Sequence, residues 1–105
     1  MSTFDDREHA FEAKFAHDEE MQFKAIARRN KLTGLWAAEL MGISGDEALA
    51  YAKTVVTADF EEAGHEDVVR KLVADLGDKA DAGTIRAKME ELLPIAKAEI
   101  MSETD

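Results

Sequence analysis

Histidines and carboxylates are the residues of this sequence whose side chains could carry chemistry. His9 and His17 lie eight residues apart, and no His-Glu-x-x-His spacing places two imidazoles together on a helix to hold a metal ion. His65 follows Gly64 and is expected in a turn; imidazole titrates near neutral pH, so pH sensing stays an alternative there. The chain has no cysteine, which excludes thiolate metal sites and disulfides. We therefore expect surface histidines and no metal site.

The 23 acidic residues offer neither an acid-base pair nor a calcium loop. None stands near a candidate nucleophile in an apolar setting. Between Asp75 and Gly83 the acids are spaced by three, and no glutamate closes a twelve-residue loop. No glycine-rich turn is followed by Lys-Ser or Lys-Thr, as a phosphate-binding loop requires. The sequence therefore offers no positive argument for an enzyme.

The charge balance narrows the class of partner. The 105 residues include 13 basic and 23 acidic side chains, a net charge of −10, which argues against binding nucleic acid or anionic lipid. No apolar run approaches the ~20 residues that cross a bilayer, and the N-terminus lacks the apolar region of a signal peptide. We therefore expect a cytoplasmic protein without direct membrane insertion.

Glycines divide the chain into helical segments. Breaks occur at residues 42–45, 63–65 and 77–83, and β-branched residues come in pairs at most. The pattern predicts an all-α four-helix bundle with a long first helix, its helices covering about residues 19–41, 45–63, 65–77 and 82–101. These helices form a predicted domain of residues 19–105.

Local signals refine the helices and their core. Ser44 and Glu47 form a capping-box pattern, and Asp81 or Thr84 is expected to cap the last helix. Pro94 should bend that helix without dividing it. The second helix is expected to bury Leu49, Ala52, Val55, Val56 and Phe60, and the third Val68, Val69, Leu72, Val73 and Leu76. The predicted core of the bundle comprises Trp36, Leu40, Val56, Phe60, Leu72 and Leu92.

Residues 1–18 form a predicted N-terminal arm. Residues 1–20 carry seven acids and two bases, whereas residues 21–31 carry four bases and no acid. An apolar stripe falls within about 120° of a helical wheel and comprises Phe4, Phe11, Phe15, Ile26, Leu32, Trp36 and Leu40. The stripe is interrupted between Phe15 and Ile26 by Asp18, Glu19 and Gln22. The arm is therefore either the first turns of a long helix lying on the bundle, or a mobile segment that folds in a partner's groove.

The N-terminal half resembles the ζ subunit of α-proteobacterial F-type ATP synthases. The resemblance covers essentially the whole chain and is dense over residues 4–68. It is carried by the segments FDDRE (4–8), EAKFAHDEE (12–20), FKA (23–25), RRNKL (28–32), GLWAA (34–38), YA (51–52), VV (55–56), ADFEEAG (58–64) and DV (67–68).

The resemblance implies a four-helix protein, not an enzyme, that inhibits ATP hydrolysis by the synthase's catalytic head. We expect a monomer when the protein is free, although an exposed phenylalanine stripe could self-associate. Its partners would be the α, β and γ subunits, which would hold it peripherally at the inner membrane. The N-terminal segment would be mobile when free and would enter a catalytic subunit interface as a helix, blocking rotation. The positions matching this inhibitory motif are Phe4, Asp5, Asp6, Arg7, Glu8, Phe11, Lys14, Phe15 and His17. No cofactor is implied beyond weak nucleotide binding, for which Arg28 and Arg29 are candidate contacts.

Two other classes of function stay open from the residues. A generic helical adaptor would bind another protein through the amphipathic arm. A small-ligand binder or enzyme with a site inside the bundle would need polar side chains in the core, and the sequence predicts none there.

Overall fold

The fold is an all-α arrangement of four helices, as predicted. The computed structural model describes residues 19–59 and 66–104, and within these ranges there is no β-strand. The helices are α1 (Glu19–Leu40), α2 (Gly45–Ala58), α3 (Glu66–Leu76) and α4 (Ala82–Thr104), with a short 3₁₀ turn at Gly77–Lys79. Helix α1 packs mainly against α2 and α4, and α3 packs against the other three helices. The predicted arm lies outside the described residues, as do His65 and the predicted end of the second helix beyond Asp59.

Glycines end two of the helices, and an aspartate caps the start of another. Gly42 and Gly77 adopt φ of 77° and 55°, the left-handed conformation that ends α1 and α3. The Asp81 carboxylate accepts the Thr84 backbone N–H at 2.7 Å, so Asp81 caps α4. Ser44 occupies the N-cap of α2 but makes no capping hydrogen bond with its side chain, so the predicted capping box is wrong. Gly45 has φ of 62°, which diverts the first turn from the path a capping box requires.

Helix α1 buries small and polar residues where a large apolar stripe was predicted. Leu40 is 39% exposed, so its placement in the core is wrong, and Trp36 is only half-buried. The buried positions recur every three to four residues and are Met21, Ala25, Arg29, Asn30, Thr33, Gly34, Ala37 and Ala38. The reason is close packing: a Cβ on Gly34 would lie 2.8 Å from the Ala52 Cα atom on α2.

The buried face of α2 agrees with the prediction in part, because Ala52 and Val55 are buried as predicted. Leu49 is 44% exposed, contrary to prediction, and Val56 is half-buried. The helix also buries Ala48 and Ala58. Small alanine side chains suit the side of α2 that meets α1, because they let the two backbones approach.

All four helices contribute to the main apolar core. Val73 on α3 is exposed, against expectation, and Leu92 is half-buried, while Phe60 lies outside the described residues. Helix α4 runs unbroken through Pro94, which is exposed. The core residues are Ala37, Val55, Val68, Val69, Leu72, Leu76, Ala80, Ile85 and Met89, with Trp36 and Tyr51 packed against them.

Candidate functional site

Most of the predicted site residues lie outside the part of the chain that the structure describes. This applies to every predicted contact of the arm, namely Phe4, Asp5, Asp6, Arg7, Glu8, Phe11, Lys14, Phe15 and His17. Arg28 and Arg29 are described, and they occupy very different surroundings on α1.

Arg28 connects α1 to the last turns of α4. Its guanidinium donates to the Glu99 carboxylate at 2.7 Å and to the Glu103 carboxylate at 2.6 Å. The hydrogen bonds to Glu103 and then Glu99 raise the pKa of Arg28 above its ordinary value, against the smaller opposing effect of burial. The two carboxylates belong to this chain, so any anionic ligand at Arg28 would have to compete with them.

Arg29 is only 4% exposed and belongs to a buried polar cluster. Its Nε donates to the Asn30 side-chain oxygen at 3.0 Å, and the Asn30 amide donates to the Asp59 carboxylate at 2.9 Å. Burial lowers the pKa of Arg29, and the nearby Asp59 charge partly offsets that effect. The Thr33 hydroxyl donates to the Arg29 carbonyl at 2.7 Å. The cluster therefore joins the middle of α1 to the end of α2.

This cluster corrects the expectation that the core holds no polar side chains. Arg29 and Thr33 continue the four-residue spacing of Ala25 and Ala37, so they share the buried face of α1. A prediction based on large apolar residues misses this buried face, whereas the spacing of the small residues Ala25 and Ala37 indicates it. The observed hydrogen bonds are consistent with a structural cluster, and nucleotide contact at Arg28 and Arg29 stays a prediction.

A groove of about 570 Å³ runs beside the first half of α1. Phe23, Ala27, Val56 and Ile100 provide apolar surface, and Phe23 is 55% exposed. The charged residues that line the groove are predominantly basic: Lys24, Arg28 and Lys31, with Glu103. Arg28 is engaged by Glu99 and Glu103, and Lys24 lies 3.2 Å from Glu20, so carboxylates of this chain balance much of the basic charge around the groove.

A second cavity, of about 300 Å³, lies among α1, α3 and α4. Arg29, Arg86, Glu66 and Glu90 contribute its charged groups, with Val69, Met89 and Leu93 as apolar lining. Arg86 donates to both oxygens of the Glu66 carboxylate, at 2.5 and 3.3 Å. Since the two arginines are balanced by two glutamates, the cavity has no strong preference for one sign of charge.

Metal binding and membrane insertion find no support in the described ranges. Across 19–59 and 66–104, no group of three potential ligands is placed to hold a metal ion. None of the helices described there is both long and apolar enough to span a bilayer.

Comparison with known proteins gives one matching family model and a similar solved structure. A family model described as ATPase inhibitor subunit zeta matches residues 1–99, and so includes the N-terminal segment as well as the helices. A protein structure determined by solution NMR is 64% identical, with a TM-score of 0.74. That match covers 79% of this chain and 98% of the other. The comparison with curated proteins found no significant match.

Proposed function

Because this chain belongs to the ATPase inhibitor subunit zeta family, we propose that it blocks ATP hydrolysis by inserting its N-terminal segment into the catalytic head of F-type ATP synthase. The observation that carries the proposal is the family match over residues 1–99. The match confirms the resemblance found in the sequence and supports an inhibitor role. Insertion of residues 1–18 as a helix between catalytic subunits is the proposed mechanism.

A helix wedged between subunits inhibits without taking part in the reaction. A rotary ATPase must open and close the clefts between its subunits, so a segment held in one cleft stops turnover. Phe4, Phe11 and Phe15 would each contribute about 1.5–3 kcal/mol if fully buried. Ordering the segment costs about 1–2 kcal/mol per residue, so the three rings alone cannot supply the binding energy.

Charged groups would supply much of the remaining binding energy. Asp5, Asp6 and Glu8 would accept hydrogen bonds from basic groups of the synthase, and Arg7 and Lys14 would donate to carboxylates. The acids at the start of the segment also favour helix formation, because they lie near the positive end of the helix dipole. His17 would lie at the entrance to the cleft.

The four-helix domain would position this segment. Helix α1 follows the segment in sequence, and it is held by α2 at Gly34 and by α4 through Arg28. A domain anchored on the outside of the head would therefore fix where the segment enters. The α, β and γ subunits are the proposed partners, and association with the synthase would place the protein peripherally at the inner membrane.

Crosslinking to the catalytic head tests insertion directly. The chain has no cysteine, so Ala10→Cys gives one attachment point for a photoreactive group within the segment. We expect crosslinks to catalytic-head subunits, formed during ATP hydrolysis. The matched control is Lys79→Cys, on the exposed 3₁₀ turn between α3 and α4. Absence of crosslinks from Ala10→Cys in an inhibited complex would contradict insertion.

A further inference from the structure

The first turns of α1 are held by a different set of contacts from the rest of the helix. Met21 and Ala25 are the buried residues among positions 20–25, and they pack with Ile100 of α4 in a small apolar cluster, against which Met101 is partly buried. Further along, α1 joins the main core of the domain through Ala37. The start of α1 therefore depends on a small contact with the last turns of α4.

Arg28 completes this contact with two charged hydrogen bonds. Its guanidinium lies 2.7 Å from the Glu99 carboxylate and 2.6 Å from the Glu103 carboxylate. Glu99 and Glu103 are four residues apart and thus neighbours on one side of α4, so one planar guanidinium can bond to both. We call Arg28, Glu99 and Glu103 the α1–α4 clamp.

The clamp has a large influence on this part of α1 because few other contacts hold it. A short helical segment is only marginally stable in water unless it packs against another element. A segment with few buried apolar contacts also opens at a lower free energy than the core of its domain. Residues 19–28 should therefore open locally while the main core stays folded, and the clamp should oppose that opening.

We propose that Arg28 is a positioning residue for inhibition: by holding the first turns of α1 on α4, the clamp supplies an ordered helix end from which residues 1–18 extend into the synthase. This role rests on the proposed function. It requires no contact between the domain and residues 1–18 in the free protein. The clamp itself is a property of the free domain and is tested without the synthase.

Two physical effects connect the clamp to inhibition. Starting a new helix is unfavourable by a factor of about 10³, and a segment that continues from an existing helix avoids this cost. Opening of residues 19–28 also lengthens the free chain from residues 1–18 to residues 1–28, which lowers its effective concentration at the binding cleft by about twofold. Loss of the clamp should therefore weaken inhibition without changing any residue of the inserted segment.

Amide hydrogen exchange in the free full-length protein tests the clamp. Arg28→Gln removes the charge but keeps a polar side chain that suits a helix. We expect the amides of residues 23–28, which have acceptors within α1, to exchange roughly three- to tenfold faster. The amides of Leu72 and Ile85 in the main core should exchange at their original rates.

Arg86→Gln is the matched control for this substitution. Arg86 donates to the Glu66 carboxylate and so forms a bridge between α4 and α3. The control removes the same charge and the same kind of interhelical bond, but at a distance in sequence from the clamp. It should leave the exchange of residues 23–28 unchanged.

ATP hydrolysis by the cognate catalytic head then tests positioning. We expect Arg28→Gln to need about two- to tenfold more protein for half-maximal inhibition, and Arg86→Gln to match the unmodified chain. Combining Arg28→Glu with Glu99→Arg and Glu103→Arg rebuilds the clamp with opposite charges, because one carboxylate can accept from two arginines. This triple variant should restore both slow exchange and inhibition, although residue 28 is no longer basic.

Each alternative result has a definite meaning. Unchanged exchange at residues 23–28 in Arg28→Gln would overturn the clamp. Faster exchange with undiminished inhibition would overturn the positioning role. Inhibition that stays weak in the triple variant, despite restored slow exchange, would also overturn that role, because it would indicate direct contact of Arg28 with the synthase. Absence of inhibition by the unmodified chain would contradict the proposed function and positioning together, whereas the exchange result for the clamp would stand.

Discussion

At Gly34, helix α1 approaches α2 too closely to accept a side chain. A Cβ atom at this position would lie 2.8 Å from the Ala52 Cα, 3.1 Å from the Val55 Cγ2 and 3.2 Å from the Ala52 Cβ. The nearest atom belongs to the backbone of α2, so the contact cannot be relieved by rotating a side chain. We predict that Gly34→Ala pushes the two helices apart and destabilises the protein.

Two opposing effects decide the size of this change. Alanine is favoured over glycine inside a helix by about 1 kcal/mol, which would stabilise the variant. Overpacking a closely packed interface costs typically about 1–3 kcal/mol. Because the clash involves backbone, we expect a cost near the upper end of that range, and a net loss of about 1–2 kcal/mol of unfolding free energy.

Urea unfolding monitored by Trp36 fluorescence measures the loss, since this half-buried side chain packs against the core. The matched control is Gly83→Ala in the first turn of α4, where a Cβ would meet only the Asp81 carboxylate at 3.6 Å. The control should gain roughly 0.5–1 kcal/mol. If Gly34→Ala were stabilised as much as Gly83→Ala, the inferred close contact between α1 and α2 would be refuted.

Two further predictions concern polar groups. Asn30→Ala removes the hydrogen bonds that join Asn30 to Arg29 and Asp59, and it should cost about 1–3 kcal/mol of unfolding free energy. The control Gln22→Ala, at an exposed position of α1, should change the unfolding free energy by less than about 0.5 kcal/mol. Equal losses from the two substitutions would contradict a stabilising role for the buried polar cluster. Burial acts to raise the pKa of Asp75, but hydrogen bonds from Tyr51 and Lys71 outweigh it and leave the pKa below its ordinary value. A carboxyl with a depressed folded-state pKa stabilises the protein above its unfolded pKa of about 3.9, and that stability is lost as pH falls through the folded value. Melting temperatures between about pH 5 and pH 2 should therefore fall less steeply for Asp75→Asn than for the unmodified protein, and identical slopes would contradict this reasoning.

Sequence patterns predicted the helices better than the faces they bury. Glycine placement revealed the breaks, because Gly42 and Gly77 adopt a left-handed conformation that other residues avoid. Periodicity of large apolar residues then misplaced the packed side of α1, where Leu40 is exposed and Ala37 is buried. Close helix packing selects small side chains, and an alanine or glycine carries little weight in a hydrophobic pattern. The correct face follows from the spacing of small residues.

The buried polar cluster is a second feature that the sequence pattern does not predict. Arg29 and Asn30 look like part of a solvated basic segment, because neighbouring residues in sequence point in different directions around a helix. Only the packing of α1 against the end of α2 reveals that both are buried and that Asn30 bonds to Asp59. The groove was equally inaccessible to prediction, since its lining comes from α1, α2 and α4.

The central claim is that residues 1–18 carry the inhibition. ATP hydrolysis by the cognate catalytic head should therefore be measured while the full-length protein, a chain lacking residues 1–18, and Phe11→Ala are each titrated in. As a matched control, Leu49→Ala removes an exposed apolar side chain from α2. We predict inhibition by the full-length protein and by Leu49→Ala, and none by the truncated chain or Phe11→Ala. Undiminished inhibition by the truncated chain would contradict the account.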